Sequence, residues 1–524
     1  MNRAARVAAL RSAPALDLLV IGGGIAGAGI ALEAARTGAS VALVEARDFA
    51  SGTSSRSSKL VHGGLRYLAQ GKFGLMRESV RERDALLRDA PGLVEPLRFV
   101  LPLRAGESRA KIGLGLALYD AVAGRRARAW YDAVQLRERL PQLAAEGLAG
   151  GWSYLDAQTD DARLVLRVLA EARSLGAATL NYVAAEALQR GGGEVTGATL
   201  HDSTSGERFA VEARCVINAT GAWADALRGA LGRAPKLRPL RGSHLLLPAW
   251  RLPVAQAVAF FHPADRRPVF ALPWEGATLV GTTDLDHRAD LAHEPAIARS
   301  ELDYLLAALR RQFPALALNE GDVISTWAGV RPVVASGQAL APSKEARDHL
   351  VIEEDGLITV TGGKLTTFRA TAAQALKLAA RRVPALHSTR FDAPLFAQPA
   401  ATVVDALHDL PPALQTRWLG RYGAEASAVL GCASDGELES VASTATTWAE
   451  LRFACRAEAV LHLDDLLLRR TRLGLLLRHG AAAELPRIRT IVQQELAWSD
   501  ARWDDEQARY RALIARCYSV PRED

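Results

Sequence analysis

Hydrophobic positions near the N-terminus follow a strand–helix–strand rhythm. Residues 17–21 form a short apolar run that breaks into Gly22-Gly-Gly-Ile-Ala-Gly27, the pattern of a buried strand ending in a glycine turn. Residues 28–37 have helical spacing, Gly38 ends them, and residues 40–45 read as a second apolar strand. Such a unit predicts a parallel strand pair with a right-handed crossover. Residues 51–58 form a Ser/Thr/Gly-rich loop and residues 73–88 a polar helix; Pro91, Pro96 and Pro102 punctuate the next segment. Residues 163–175 read as a helix. Residues 183–211 alternate like a small antiparallel sheet that turns at Gly191-Gly-Gly193. Residues 214–221 are another buried strand ending in glycine. Strands are predicted at 243–247, 257–261, 269–272, 278–281 and 357–360, and helices at 300–312 and 364–382. Beyond about residue 395 strand signals stop and Ala/Leu/Arg-rich helices dominate, which places a domain boundary near 385–400. No internal repeat is present.

Across 524 residues, 49% are hydrophobic and 23% charged. That composition excludes a disordered chain, a collagen and a disulfide-stapled miniprotein, and the length suits about three domains. Lys and Arg number 64 against 58 Asp and Glu, a net charge of +6. The mild excess fits an anionic substrate or loose contact with an anionic membrane face. Nucleic acid would require a concentrated basic stripe. The densest stretches, Arg125, Arg126 and Arg128 and then Arg469, Arg470 and Arg472, read as solvated helix faces. Cys215, Cys432, Cys455 and Cys517 form no CxxC pair, so no metal site is expected, and the scatter suggests reduced thiols in a cytoplasmic setting. The longest apolar run, residues 18–32, is glycine-rich and shorter than the ~20 residues of a membrane span. The first sixteen residues carry Arg3, Arg6 and Arg11 and no acid, which has a transit-peptide flavour, but a strand begins straight after them.

The strongest chemical signal is Gly22-x-Gly24-x-x-Gly27 between strand and helix, with Glu45 ending the next strand. Gly22 permits the tight turn, Gly24 lets backbone approach a pyrophosphate, and Gly27 lets helix and strand pack closely. The helix N-terminus offers N–H groups to phosphate, and Glu45 is placed for ribose hydroxyls. A second strand–glycine signal, Asn218-Ala-Thr-Gly221, lies nearly 200 residues on, a layout more typical of FAD proteins than of NAD dehydrogenases. Thr361-Gly-Gly-Lys-Leu-Thr-Thr367 is a candidate contact for the far, isoalloxazine end, where a helix N-terminus favours developing negative charge. In Ser57-Ser-Lys-Leu-Val-His-Gly-Gly-Leu-Arg-Tyr67, Lys59 and Arg66 taken singly could be solvated, and His62 and Tyr67 core residues. The two glycines beside His62 imply backbone close to something flat. Arg331, in Gly329-Val-Arg-Pro332, is held extended by the proline and is either an anion ligand or a surface ion pair; Arg347 alone reads as surface.

Taken in order, these pieces resemble the FAD-dependent glycerol-3-phosphate dehydrogenases of the aerobic, respiratory type. The matching runs are residues 17–29, Glu45, the run from Thr53 to Tyr67, Asp160-Asp-Ala-Arg-Leu-Val165, Asn218 to Trp223, Gly242-Ser-His244, Gly281-Thr-Thr-Asp284, Gly329 to Pro332 and Gly362 to Thr367. The resemblance implies an α/β fold with three parts. A Rossmann-like FAD-binding domain of the D-amino-acid-oxidase type takes residues 15–75, 150–235 and 320–390. An antiparallel-sheet substrate cap takes 76–149 and 236–319, and an all-helical C-terminal domain takes 395–524. It implies oxidation of sn-glycerol 3-phosphate to dihydroxyacetone phosphate by hydride transfer to FAD. Electrons would pass to ubiquinone or menaquinone, from a protein held peripherally on the inner face of the cytoplasmic membrane. Such proteins are often homodimers, and no nucleic acid or metal is implied. By matched position, Arg66, Tyr67, Arg331, Arg347 and Lys364 hold substrate, the Arg347 match resting on Arg347-Asp348 alone. Gly22, Gly24, Ile25, Ala26, Gly27, Glu45, Thr53, Ser54, Ser58, Lys59, His62, Gly221, Gly363, Leu365 and Thr366 contact FAD. Arg331 and His62 are the candidate catalytic residues. His62 is the first candidate base, ahead of Tyr67 or a water.

Three rival readings stay open. One is an oxidase of the same superfamily that passes electrons from glycerol 3-phosphate or an amino acid to oxygen. The second is the anaerobic dehydrogenase's catalytic subunit, against which the sparse C-terminal cysteines argue. The third is a flavoprotein that binds RNA or serves as a non-catalytic partner, against which the lack of a basic stripe argues.

Overall fold

Leu16–Ile21 is apolar at nearly every position and lies at the centre of a sheet. The computed structural model describes residues 3–65, 67, 71–337, 345 and 348–522; Arg66 and Arg347 lie outside them. The first sheet runs His349–Glu354, Leu357–Gly362, Arg208–Asn218, Leu16–Ile21, Val41–Glu45, Ala178–Asn181. All these pairings are parallel except the outermost, between His349–Glu354 and its neighbour. Helices cover both faces of a parallel sheet, so its strands need no polar side. Helix Ile25–Ala35 is correspondingly buried almost all round, and helices Asp161–Ser174 and Phe368–Ala379 flank it. It begins three residues earlier than its apolar spacing suggested, because the glycine turn is already helical at Ile25. The other face is covered by the hairpin Val183–Gly191 and Glu194–Asp202 and by helix Arg3–Arg11. The strand read at 214–221 is the inner half of a longer one, Arg208–Asn218, whose outer half pairs with that hairpin.

The second sheet runs Leu285–Asp286, Leu237–Pro248, Ala277–Gly281, Pro268–Trp274, Ala257–Phe261, Val94–Arg104, Leu148–Thr159, Leu60–Val61. Ser325–Val334 adds to Leu237–Pro248 and Ala129–Asp132 to Leu148–Thr159. Two boundaries therefore differ from the sequence reading: Leu148–Thr159 and Ser325–Val334, expected with the nucleotide-binding layer, are strands of the cap. Val94–Arg104 was hidden by its prolines. Next to Ala257–Phe261 its ladder is confined to Phe99 and Val100, so Pro96 and Pro102 sit where that side demands no N–H. Helix Arg299–Gln312 packs Leu302, Leu305, Leu306 and Leu309 on one face of the sheet.

The C-terminal region is helical, with Pro412–Tyr422, Trp448–Ala457, Leu485–Leu496 and Asp500–Leu513 as its main elements. It is not a separate globule. Leu463, Leu467, Trp503 and Tyr510 share one core with Leu246, Trp274, Leu279 and Trp327 of the cap. Arg469, Arg470 and Arg472, expected on a solvated face, are buried instead. Arg469 and Arg470 end a π-helical turn, Asp465–Arg470, Arg472 follows it, and all three meet carboxylates of the first sheet's layer. The partners lie more than 300 residues away in sequence, beyond the reach of local pattern.

Candidate functional site

Strands Leu16–Ile21, Arg208–Asn218 and Leu357–Gly362 are parallel neighbours, so their C-terminal ends form one rim. Each runs into glycines: Gly22, Gly221 and Gly363. A cavity of about 400 Å³ opens along this rim, lined by Gly22, Gly24, Ile25, Ala26, Glu45, Thr53, Ser54, Gly221, Gly363, Lys364 and Leu365 among others. Ligands of open α/β sheets bind at such carboxyl ends.

The glycines serve different ends. A Cβ on Gly22, at φ +116°, would stand 2.5 Å from the Ala219 carbonyl oxygen, and one on Gly27 2.0 Å from that of Gly22. Gly27 therefore packs helix on strand behind the cavity. A Cβ on Gly24 would meet only Ser54, so Gly24 leaves the helix start open to the cavity. The Ile25 N–H donates to Ser54 Oγ at 3.0 Å. Glu45 accepts the Gly23 N–H at 2.7 Å and the Arg47 N–H at 2.9 Å, one on each oxygen. Burial raises its pKa, although those two N–H groups oppose the shift. Thr53 Oγ1 donates to the Val330 carbonyl, which ties the loop to the cap. A helix N-terminus, an acid on the next strand and a glycine turn at the far end suit a dinucleotide of FAD's length. Gly24, Ile25 and Ala26 would face its pyrophosphate, Glu45 its ribose, and Gly363 and Leu365 its ring system.

At the far end, the Lys364 ammonium sits 3.7 Å from the Tyr67 ring centroid. Arg331 donates to Asp284 at 3.1 Å and to Thr282 Oγ1 at 3.0 Å. Its guanidinium lies flat over Gly242, where a Cβ would be 2.3 Å away. Thr366 is buried and its hydroxyl donates to the His62 carbonyl at 3.4 Å. The backbone beside His62 is fixed by Asp156, which accepts the Gly63 N–H at 2.7 Å, Arg83 at 2.8 Å and the Tyr119 hydroxyl at 2.9 Å. A side chain on Gly63 would strike that hydroxyl.

Besides Gly27, the expected FAD contacts Lys59 and Ser58 are absent from the cavity lining. The Lys59 side chain is fully buried behind the loop, donating to Ser55 O at 2.6 Å and Asp161 at 2.8 Å. Burial lowers its pKa to about 8, against the opposing pull of Asp161. Ser58 Oγ bonds His244 Nε2 at 2.9 Å. Both support the loop rather than line the cavity, because a buried ammonium must be held by its counter-charge. His244 itself received no role from the sequence. It is buried, stacked on Trp327, and held neutral by burial, with Arg331 and Lys59 adding to the shift. Trp223 and Arg47, whose guanidinium lies 5.4 Å from the indole centroid, also line the cavity and were missed.

The fold and site are those of an FAD-binding oxidoreductase of the D-amino-acid-oxidase type, and the FAD dependent oxidoreductase family model matches residues 17–378. The C-terminal domain of alpha-glycerophosphate oxidase matches residues 359–503. Glycerol-3-phosphate dehydrogenase 2 of Mycobacterium tuberculosis is 37% identical over 519 residues, covering 95% of this chain and 88% of its own. Aerobic glycerol-3-phosphate dehydrogenase of Staphylococcus epidermidis is 40% identical over 385 residues, 72% of this chain and 69% of its own. The glycerol-3-phosphate dehydrogenase of Bacillus halodurans, solved with FAD, superposes with a TM-score of 0.80 at 29% identity, covering 100% of this chain and 99% of that one. The chain belongs to the FAD-dependent glycerol-3-phosphate dehydrogenase family.

Proposed function

We propose that the chain oxidises sn-glycerol 3-phosphate to dihydroxyacetone phosphate and passes the electrons to a membrane quinone, ubiquinone or menaquinone. The observation that carries this reading is Lys364 at one end of a dinucleotide-binding cavity whose lining also includes Pro332, the chain neighbour of Arg331. A phosphate dianion needs converging cations, and Arg331 presents a fork braced by Asp284 and Thr282. Arg66 and Arg347 are proposed to complete the clamp, with Tyr67 beneath Lys364. Bound FAD supplies the acceptor for the hydride that leaves C2. Holding the phosphate fixes C2 in near-attack geometry. His62 accepts the hydroxyl proton, its backbone fixed by the Asp156 network.

The names of the relatives, dehydrogenases with some called aerobic, support an acceptor other than oxygen, and the cap surface supports a peripheral membrane contact. In the cap segment 109–139, Leu114 and Val134 are 73% and 69% exposed, among exposed Arg109, Lys111 and Arg126. Apolar side chains beside basic ones suit an anionic lipid surface. Among the described residues, no helix is long and apolar enough to cross a membrane.

The test is an anaerobic visible spectrum. Adding sn-glycerol 3-phosphate should bleach the flavin band, and a water-soluble quinone analogue should restore it. A band that persists sinks the substrate. Fast reoxidation by oxygen with stoichiometric peroxide would favour the oxidase instead.

A further inference from the structure

Residues 48–59 carry the cofactor loop. Its front, at Ser51, Thr53 and Ser54, lines the cavity. Its back is held by the C-terminal domain at both ends. At the entry, Asp48 is fully buried between Arg469 and Arg470, with Arg470 Nη2 donating at 2.8 Å and Asn181 donating at 2.9 Å. At the exit, Arg472 reaches Ser55 O at 3.4 Å, Asp160 Oδ1 at 2.9 Å and Asp161. Asp161 in turn accepts the Ser57 N–H at 3.0 Å, the Ser57 hydroxyl at 2.7 Å and the Lys59 ammonium at 2.8 Å.

We propose that residues 469–472 are a lock on the cofactor loop: positioning residues through which the C-terminal domain sets how tightly FAD is held. The inference stands on the cofactor, whichever substrate is turned over. Three observations carry it. Arg472 reaches a loop atom directly, Ser55 O, and the Asp161 it pairs with takes the loop's Ser57 N–H. Lys59 and Arg472 neutralise one shared carboxylate, Asp161, so loop and domain close on a single buried charge. Arg472 also adopts φ +61°, a left-handed conformation that residues with a side chain rarely take. Burial alone would raise the pKa values of Asp48 and Asp160. The arginines outweigh it and hold both below the usual carboxylate range, so the lock stays charged.

The experiment follows FAD release from diluted holoenzyme by the rise in free-flavin fluorescence, with thermal midpoints recorded for each apoprotein. Arg472→Lys keeps the charge and loses the fork; Asp161→Asn removes the shared carboxylate. Glu437→Gln is the matched control, since Glu437 pairs with Arg452 inside the helical domain. Release should be about tenfold faster or more in Arg472→Lys and Asp161→Asn, the scale of a slightly misplaced supporting group. It should be unchanged in Glu437→Gln, even where all three melt earlier. A wild-type release rate in Arg472→Lys, or an equal acceleration in Glu437→Gln, overturns the lock. If Asp161→Asn does not fold, Arg472→Lys decides alone.

Discussion

Two arginine groups hold opposite sides of one site, and they are built differently. Arg331 comes from the cap, is 19% exposed, and donates to the Asp284 carboxylate, the Thr282 hydroxyl and the Thr283 carbonyl. Arg470 and Arg472 come from behind, are 0% and 1% exposed, and spend their donors on carboxylates and carbonyls. A guanidinium that keeps some exposure is open to an arriving anion. One saturated in the interior is architecture. The difference makes the two groups separable, since loss of one should be read in kinetics and loss of the other in stability.

The largest effect is expected behind the loop. Arg470→Leu leaves Asp48 half-compensated in the interior, and breaking a buried pair costs about 3–5 kcal/mol. The thermal midpoint should fall accordingly, with flavin-saturated KM little changed. Arg331→Ala should do the reverse. Losing a charged fork on phosphate should lower kcat/KM by about two to three orders of magnitude, mostly through KM, while the midpoint holds. A midpoint that falls as far for Arg331→Ala as for Arg470→Leu would erase the distinction.

The same contrast explains what was legible beforehand. The front of the site is written in local pattern: glycine spacing from Gly22 to Gly27, Glu45 at a strand end, Gly362-Gly363 before a helix. Each motif needs only its neighbours to be recognised, and the parallel sheet then aligns them on one rim. The back is written in pairs hundreds of residues apart, Asp48 with Arg470 and Asp161 with Arg472. Read singly, such arginines and Lys59 look solvated, and Lys59 becomes a cofactor contact only by its matched position. His244 was equally silent, because its meaning comes from Ser58 and Trp327 on other strands and loops. One cap strand, Val94–Arg104, went unread for a third reason: it carries prolines that only an incomplete ladder tolerates.

Within the front itself, His62 is the next test. His62→Ala should slow flavin reduction in a stopped-flow experiment by about 10²-fold, as loss of a positioned base does. Substrate affinity, read from the concentration dependence of that rate, should change far less. An unchanged reduction rate would remove His62 from proton transfer and turn attention to Tyr67.

The smallest effect sharpens the comparison by its sign. Front and back acids are shifted in opposite directions: Glu45 upward by burial, Asp48 downward because Arg470 and Arg469 outweigh burial. A carboxyl raised in the fold takes up a proton above 4.5, where the unfolded chain is still ionised. Acid in that window therefore favours the bare fold through Glu45. FAD runs the other way, since ribose hydroxyls need the carboxylate as acceptor. The affinity for FAD should thus weaken as pH falls towards 4.5 from above, by at most about tenfold per pH unit below the Glu45 pKa. Asp48 and Asp160, held low by their arginines, stay ionised throughout that range. Asp465 beside Arg469 is raised by burial to about 6, so loosening through Asp465 would persist in the Glu45→Gln profile, and the Glu45 effect is the difference between the two profiles. Glu45→Gln should bind FAD more weakly at neutral pH and lose the Glu45 part of the dependence. Parallel pH profiles for the two proteins, measured by flavin titration of apoprotein, would mean that Glu45 braces the Gly23 turn and does not bind the ribose.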